Sequence, residues 1–313
     1  APLTPHPHPP LQMPLAVFPK GFFAALVEGR MSLEQWLELA STLEVDGVEL
    51  YPAFLPRLDE RYLAGLRRRL EDLGLEMPMF CHSPDFSQPS PSAREAEVER
   101  TRHMIAVTAT LGGGYCRVLS GQRRPGVGEE GLGWVTDAID ALLPVAEAHN
   151  VVLTLENHYK DGQWEYPEYA QSRERFLAIL GAVQSPWLRV QYDPSNALVA
   201  GDDPYELLDE VIDRVATVHA SDRYLEGGTV QDLRRLDAHP AHGYAPLLQH
   251  GVIGDGLVDY DRIFSALAAT QFAGWISIED GEGATIEQGM ENLRRSVGFL
   301  RHHMARWMSE RHA

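Results

Sequence analysis

The sequence VVLTLENHYKDG occupies residues 151–162 and changes character in its middle. Its first half is a run of valine, leucine and threonine, which is the composition of a strand buried on both faces. The run ends in Glu156, which is followed by Asn157 and His158. Because a carboxylate beside a buried strand is costly unless a cation or hydrogen bonds hold it, the sequence predicts a partner for Glu156 at the end of this strand.

Seven other apolar segments of this kind occur along the chain, and helical patterns alternate with them. The predicted strands cover residues 15–19, 47–52, 76–84, 115–121, 151–158, 188–196, 215–222 and 274–281. The predicted helices cover residues 32–45, 59–74, about 93–111, 134–149, 167–180, 204–212, 259–270 and 286–307. Eight strand–helix pairs without a linker predict an α/β fold, a single (β/α)8 TIM barrel. A doubly wound nucleotide-binding fold is disfavoured because no Gly-x-Gly-x-x-Gly follows the first strand.

The predicted barrel covers residues 15–313, and two segments stand apart from it. Residues 1–14 are polar and rich in proline, which is typical of a flexible tail rather than a signal peptide. The connection between strand 7 and helix 7 is unusually long, with an insertion at about 223–258 in which VQDLRRL (230–236) has helical spacing. We hypothesise a lid that brings His250, or otherwise His242, to a substrate. An oligomer contact or a surface decoration is the alternative.

Composition limits the classes of partner. The 313 residues carry a formal net charge of −18, which disfavours a nucleic-acid partner. Two cysteines provide no disulfide framework, and a reducing, cytoplasmic location is therefore expected. No apolar run reaches the roughly 18–20 residues of a membrane-spanning helix, so no membrane partner is expected. The sequence leaves association into a homo-oligomer open.

Four consecutive predicted strands each end in a residue that can bind a metal ion. These residues are Glu156, Asp193, His219 and Glu279, on strands 5 to 8. In an eight-stranded barrel the C-terminal strand ends meet on one face, where the chemistry takes place. Three carboxylates gathered there would repel one another without a cation. The set favours one divalent ion, Mn²⁺, Mg²⁺ or Co²⁺, with Zn²⁺ as a further candidate.

The motifs LTLENH, VQYDPSN, TVHASD and SIEDG resemble the metal-binding strand ends of the xylose isomerase-like barrel superfamily, especially its sugar isomerases and ketose 3-epimerases. The resemblance covers about residues 15–305. It implies that Glu156, Asp193, His219 and Glu279 hold one divalent metal ion. It also implies that Glu156 and Glu279 are the catalytic acid and base.

The activity expected from this resemblance is that of a sugar or sugar-phosphate isomerase or epimerase, with a small carbohydrate substrate. Such an enzyme transfers a proton through an enediolate that the metal ion stabilises. The alternative is a metal-dependent dehydratase of the inosose or dehydroshikimate type, because elimination also begins with proton abstraction beside a carbonyl. An apurinic endonuclease is less favoured, since Arg117 and Asn196 stand where histidines would be needed. A non-catalytic sugar-binding protein is a further alternative.

The chain departs from the ketose 3-epimerases at two positions. A histidine three residues after the strand-6 aspartate is typical of those enzymes, and this chain has Asn196 there. The arginine that follows their strand-7 histidine is displaced, and Arg223 is the nearest candidate. The way in which a substrate is oriented, and with it the specific epimerase activity, is therefore open.

Polar and aromatic residues near the strand ends are predicted to bind the substrate, and these are His82, Asn196, Lys160, Trp164, Arg223 and His250. His82 is expected to bind a hydroxyl group, or else to be satisfied by the backbone. Lys160 is expected to polarise a substrate oxygen and Trp164 to stack on a sugar, or else both lie in an exposed loop.

Six other residues were interpreted from their positions. Phe18, Phe22 and Tyr51 are expected in the core, or else in the cavity wall. Glu49 lies within strand 2 and is expected to pair with another barrel residue. Arg123 and Arg124 are expected to be solvated, because the stretch lacks a phosphate-loop ending. A phosphate site is the alternative.

Overall fold

A computed structural model of the chain describes residues 13–233, 238–239, 242–270 and 272–310. Residues 1–12 of the predicted tail lie outside the described residues, whereas Met13 and Pro14 are buried. Pro14 accepts a backbone hydrogen bond from Ile276, so the two residues pack against the barrel.

The predicted (β/α)8 barrel is confirmed. Eight parallel strands line it: β1 Leu15–Phe18, β2 Gly47–Val48, β3 Met79–Cys81, β4 Tyr115–Val118, β5 Val152–Glu156, β6 Leu188–Tyr192, β7 Val215–Ala220 and β10 Trp275–Glu279. Their order in the sheet is β2-β1-β10-β7-β6-β5-β4-β3. The parallel bridges Gly47–Glu76 and Leu50–Phe80 join β2 to β3 and close the circle.

Helices pack around these strands. They are α1 Phe23–Val27, α2 Leu33–Ala40, α3 Glu60–Asp72, α4 Pro91–Thr110, α5 Glu130–His149, α6 Arg173–Ala182, α7 Pro194–Ala200, α8 Pro204–Val211, α9 Val230–Leu233, α10 Tyr260–Ala269 and α11 Ile286–Glu310. No helix in the described part of the chain has the length and apolarity needed to cross a membrane.

Local sequence signals explain several helix ends. Ser32 caps α2 by accepting from the backbone N–H of Gln35, whose side chain accepts in return from the Ser32 backbone. Gly74 follows α3 with a φ of +69°, a conformation that glycine adopts without steric cost. The fifth predicted helix, over residues 167–180, was wrong at its start, since α6 begins at Arg173. Residues 167–172 instead form a connection that brings Glu168 to the interior.

The insertion after β7 contains a hairpin that the sequence did not predict. Strands β8 (Asp222–Leu225) and β9 (Leu248–Gly251) pair antiparallel. The carboxylate of Asp222 accepts from the backbone N–H groups of Gly254, Gly256 and Val258, which anchors the end of the hairpin. In VQDLRRL the first four residues form α9, and the remainder lies outside the described residues.

Candidate active site

The four predicted metal ligands meet at the C-terminal end of the barrel. Glu156 ends β5, Asp193 follows β6, His219 lies in β7 and Glu279 ends β10. All four side chains are buried, and one ligand atom from each lies within 4.8 Å of the others. The parallel strands therefore bring together residues that are far apart in the sequence.

The chemistry of this set fits a divalent cation. Burial and the charges of Glu279 and Glu156 raise the pKa of Asp193 to about 7, which reflects repulsion among the carboxylates. Asp193 Oδ2 and His219 Nδ1 are buried and have no hydrogen-bond partner among the described residues. Buried polar atoms without partners are rare in folded proteins. Three carboxylates and an imidazole are ligands that Mg²⁺, Mn²⁺ and Zn²⁺ accept.

Glu49 orients His219 from inside the barrel. Its Oε2 lies 2.6 Å from Nε2 of His219, and the expectation that Glu49 pairs with a barrel residue is confirmed. A hydrogen bond in which Glu49 accepts from the Nε2–H group leaves Nδ1 facing the other candidate ligands. His219 Nδ1 lies 3.3 Å from Glu156 Oε1 and 3.8 Å from Glu279 Oε2. This arrangement is the one in which a carboxylate fixes a metal-binding histidine.

Each glutamate of the set also has a cationic partner. Arg117 on β4 donates to Glu156 Oε2 across 2.8 Å, and Lys20 Nζ lies 3.2 Å from Glu279 Oε1. Burial disfavours the charge of Glu156, but two neighbouring histidines and Arg117 outweigh it and lower the pKa of this carboxyl group. Burial likewise disfavours the charge of Glu279, whereas Lys20 is the main group that lowers its pKa. Both glutamates are therefore held ionised.

A cavity of about 560 Å³ reaches the candidate ligand set at Glu279, which lines it. This volume suits a small-molecule ligand. Phe18 and Tyr51 line the cavity, whereas Phe22 packs in the core with its ring centroid 5.3 Å from that of Trp36. The insertion contributes His242, Tyr244 and His250 to the wall. Gly243 (φ +80°) packs on Lys160, since a Cβ there would lie 2.9 Å from the Lys160 Cβ.

Four of the residues predicted to bind substrate lie at the candidate ligand set, at the cavity wall or behind that wall. Asn196 reaches the ligand set, with Nδ2 3.3 Å from Glu156 Oε1. Lys160 and His250 line the cavity. Arg223 lies behind the wall, with its guanidinium carbon 5.2 Å and 4.4 Å from the ring centroids of Tyr159 and Tyr244, which both line the cavity.

His82 and Trp164 are not among the cavity-lining residues of the described chain. His82 is buried and its Nε2 lies 3.2 Å from Thr101 Oγ1 on α4. Burial and the charge of Arg117 lower the pKa of His82 to about 3, so this side chain is neutral. Trp164 is half-buried in the connection after β5. Arg124, which we considered for a phosphate site, forms an ion pair with Asp85.

A histidine–glutamate pair was missed by the sequence analysis. His158 lines the cavity and stacks on Tyr159, with ring centroids 5.1 Å apart. Its Nδ1 lies 3.6 Å from Glu168 Oε2, and both atoms lack a hydrogen-bond partner in the described part of the chain. Glu168 Oε1 accepts from the backbone N–H of Ser120 across 2.7 Å. A buried carboxylate therefore faces a histidine at the cavity wall.

Arg117 and Lys20 were also missed as parts of the site. Arg117 was considered only as a position where a histidine is absent. The signal for Lys20 was its place directly after the first strand, in the short 3-10 turn Lys20–Phe22. The partner of neither residue can be predicted from the sequence, because each pairs with a glutamate that is far away along the chain.

Comparison with known proteins identifies a family. Residues 37–301 match the family model described as a xylose isomerase-like TIM barrel. An inosose dehydratase of Bacillus thuringiensis (strain Al Hakam) is 19% identical over 183 residues, which are 58% of this chain and 57% of that protein. A 3-oxo-isoapionate decarboxylase of Pectobacterium atrosepticum is 27% identical over 126 residues, 40% of this chain and 38% of that protein. The matches to such curated relatives span little more than half of their length, or less.

Solved structures share the fold. L-ribulose 3-epimerase superposes with a TM-score of 0.71 at 17% identity, covering 95% of this chain and 96% of that one. The probable 3-DHS dehydratase AsbF of Bacillus anthracis gives a TM-score of 0.69 at 17% identity, covering 92% and 99%. The IOLI protein, solved with a bound zinc atom, gives a TM-score of 0.68 at 17% identity. The match covers 95% of this chain and 99% of that one. At these identities the likeness establishes the fold alone.

Proposed function

Because this chain belongs to the xylose isomerase-like TIM barrel family, we propose that it is a divalent-metal-dependent enzyme that removes a proton next to the carbonyl group of a small polyhydroxylated ketone. The observation that carries the proposal is the convergence of Glu156, Asp193, His219 and Glu279 within 4.8 Å beside a cavity of about 560 Å³. A divalent ion held by these side chains would act as a Lewis acid that polarises the carbonyl group and stabilises negative charge.

His158 is the residue that we assign to proton transfer. It lines the cavity, and the carboxylate of Glu168 faces its Nδ1 at 3.6 Å. A carboxylate in this position holds the ring so that Nε2 serves as the base and stabilises the imidazolium that forms. The two glutamates of the ligand set are less suited to this task, because Arg117 and Lys20 hold them ionised and weakly basic.

Dehydration is the first candidate reaction. In this reaction His158 takes the proton from the carbon next to the carbonyl group. The imidazolium then gives a proton to the hydroxyl group on the following carbon, which leaves as water while a carbon–carbon double bond forms. The similarity in sequence to inosose dehydratases supports this reaction. A single proton-transfer residue at the cavity wall suffices for it.

Isomerisation or epimerisation is the second candidate, and it uses Glu156 and Glu279 as the acid and base. The presence of two glutamates in the ligand set favours it, since a ketose bound between them would have a carboxylate on either side. The fold is also that of L-ribulose 3-epimerase. This role of the glutamates remains the prediction that the sequence resemblance implied.

Incubation of the metal-loaded protein with inososes, ketoses and aldoses in heavy water separates the two candidates. Dehydration yields a product lighter by one water, whereas isomerisation or epimerisation incorporates deuterium without loss of water. We expect the first result, with turnover abolished in His158→Asn and retained in His149→Asn, a control at an exposed histidine. Turnover that survives in His158→Asn but is lost in Glu279→Gln would favour the second candidate.

A further inference from the structure

The two lysines of the chain are both placed at the cavity. Only two of its 27 lysine and arginine residues are lysines, Lys20 and Lys160, and both line the cavity. Elsewhere the chain uses arginine for its positive charges. A lysine ammonium is a compact point charge with three donors, which differs from the planar guanidinium fork of arginine. Both lysine ammonium groups of the chain are therefore placed where a ligand could reach them.

Lys20 has hydrogen-bonding capacity left for a ligand. Its Nζ lies 3.2 Å from Glu279 Oε1 and 3.5 Å from the hydroxyl oxygen of Tyr159. These are its two acceptors within the described part of the chain, and an ammonium group has three donors. The side chain keeps 20% of its accessible surface while its partner Glu279 keeps 8%. The third N–H group is therefore available at the cavity wall.

Arg223 is a buried cation without a counterion. It is 1% exposed, and neither Nε nor Nη1 has a hydrogen-bond partner among the described residues. The same residues supply no carboxylate at ion-pair distance, and Glu282, the nearby acid at the cavity, has its Oε1 3.6 Å from His250 instead. Burying an uncompensated charge costs several kcal/mol. Stacking on Tyr159 and Tyr244 offsets only part of this cost.

Lys20 and Arg223 approach the same aromatic ring. Lys20 Nζ lies 5.7 Å from the ring centroid of Tyr159, and the guanidinium carbon of Arg223 lies 5.2 Å from it. The two cations therefore lie near one ring, and an anion bound there would interact favourably with both. The described residues that line the cavity include three lysine or arginine side chains and three carboxylates, so the buried charge of Arg223 adds to a balanced lining.

We propose that the substrate carries an anionic group, a carboxylate or a phosphate, which binds against Lys20 at the wall of the cavity, where the buried Arg223 behind Tyr159 and Tyr244 adds positive charge. This inference rests on the proposed function for the identity of the site, and it narrows the substrate class from neutral sugars to sugar acids or sugar phosphates. A charged hydrogen bond to the Lys20 ammonium group contributes about 1.5–3 kcal/mol, which corresponds to roughly tenfold to a hundredfold in affinity.

Calorimetric titration of the metal-loaded protein with three matched probes tests the inference. D-fructose, D-fructuronate and D-fructose 6-phosphate share a ketose skeleton and differ in the group at carbon 6. We expect at least one of the two anions to bind about tenfold or more tightly than fructose. The better of the two identifies the anion as carboxylate or phosphate. Equal affinity for all three probes, or no binding of either anion, would overturn the proposal.

Variants of Arg223 test whether this residue contributes to the preference for the anionic probes over fructose. In Arg223→Met the advantage of the anion over fructose should fall about tenfold or more, and Arg223→Lys should restore part of it. Arg262→Met is the matched control, because Arg262 also stacks on a tyrosine, with its guanidinium carbon 3.8 Å from the ring centroid of Tyr205, but lies at the surface. An anion preference that is unchanged in Arg223→Met contradicts the proposal. Should Arg223→Met fail to fold, the comparison of the three probes on the unaltered protein decides alone.

Failure of this inference is distinguishable from failure of the proposed function. If the protein binds a divalent ion and transforms neutral ketones as readily as anionic ones, the proposed function stands and the anion site falls. If anions bind preferentially but no divalent ion binds, the anion site stands and the metal-dependent function falls.

Discussion

Glu49 Oε2 and His219 Nε2 lie 2.6 Å apart in the interior of the barrel, and both side chains are shielded from solvent. This hydrogen bond fixes the ring of the histidine and directs Nδ1 towards the three carboxylates. Cys81 Sγ lies 3.4 Å from the same Glu49 oxygen, so strands β2 and β3 both support the orientation. Residues inside the barrel therefore hold His219 in position among the candidate ligands.

Replacement of Glu49 tests this support. Glu49→Gln should weaken divalent-metal affinity about tenfold to a hundredfold, because an amide no longer enforces the hydrogen on Nε2. Calorimetric titration with Mn²⁺ gives the affinity, and Glu44→Gln, at an exposed glutamate near β2, is the control. Metal affinity that is equal in both variants would show that Glu49 does not orient the ligand.

Removal of the Arg117 side chain should destabilise the metal-free protein. Arg117→Gln leaves Glu156 as a buried carboxylate without its cation, which costs about 3–5 kcal/mol. Urea unfolding measures the loss, and the double variant Arg117→Gln/Glu156→Gln should recover part of it because no charge remains uncompensated. A double variant that is as unstable as the sum of the two single variants would rule out a specific ion pair.

Glu168 should affect turnover rather than metal binding. We expect Glu168→Gln to lower kcat about tenfold to a hundredfold with little change in KM, because the glutamate orients His158 without lining the cavity itself. Glu165→Gln, at an exposed position in the same connection, is the control. Steady-state kinetics with metal content measured in parallel checks this, and a reduced metal content in Glu168→Gln would assign the residue a different role.

The stability of the fold should decrease in acid because of His82. Its pKa is about 3 in the folded protein and near 6.5 when unfolded, so the unfolded state takes up the proton first. The contribution is fully present above pH 6.5 and is lost progressively as the pH falls towards 3. In His82→Asn the free energy of unfolding should change less between pH 6.5 and 4 than in His103→Asn, at an exposed histidine on α4. Identical pH profiles would refute the assignment.

The sequence predicted those parts of the molecule that repeat a local pattern. Glu156 and Glu279 could be located because each ends an apolar run, and the barrel topology then brings such ends together. Arg117 could not be assigned to Glu156, because their pairing depends on side-chain direction across strands β4 and β5, and the sequence separation is 39 residues. The β8–β9 hairpin was missed because its strands have four residues each and contain Asp222, Arg223 and Gly251 rather than an apolar alternation.

Glu168 illustrates a different limit. It lies in a stretch whose composition predicts the beginning of a helix, whereas Ser172 caps α6 five residues into that stretch. Tertiary hydrogen bonds from Ser120 to the Glu168 carboxylate override the local preference. Arg223 was predicted to bind substrate from a displaced motif, but only the structure reveals that its guanidinium is buried without a counterion.

We propose that one divalent ion binds at Glu156, Asp193, His219 and Glu279. Calorimetric titration of the metal-stripped protein with Mn²⁺ and Zn²⁺ measures it directly. We predict one ion per chain, with binding abolished in Asp193→Asn and retained in Glu282→Gln, a carboxylate that lines the same cavity outside the ligand set. Absence of divalent-ion binding by the unaltered protein, or equal binding by Asp193→Asn, would contradict the claim.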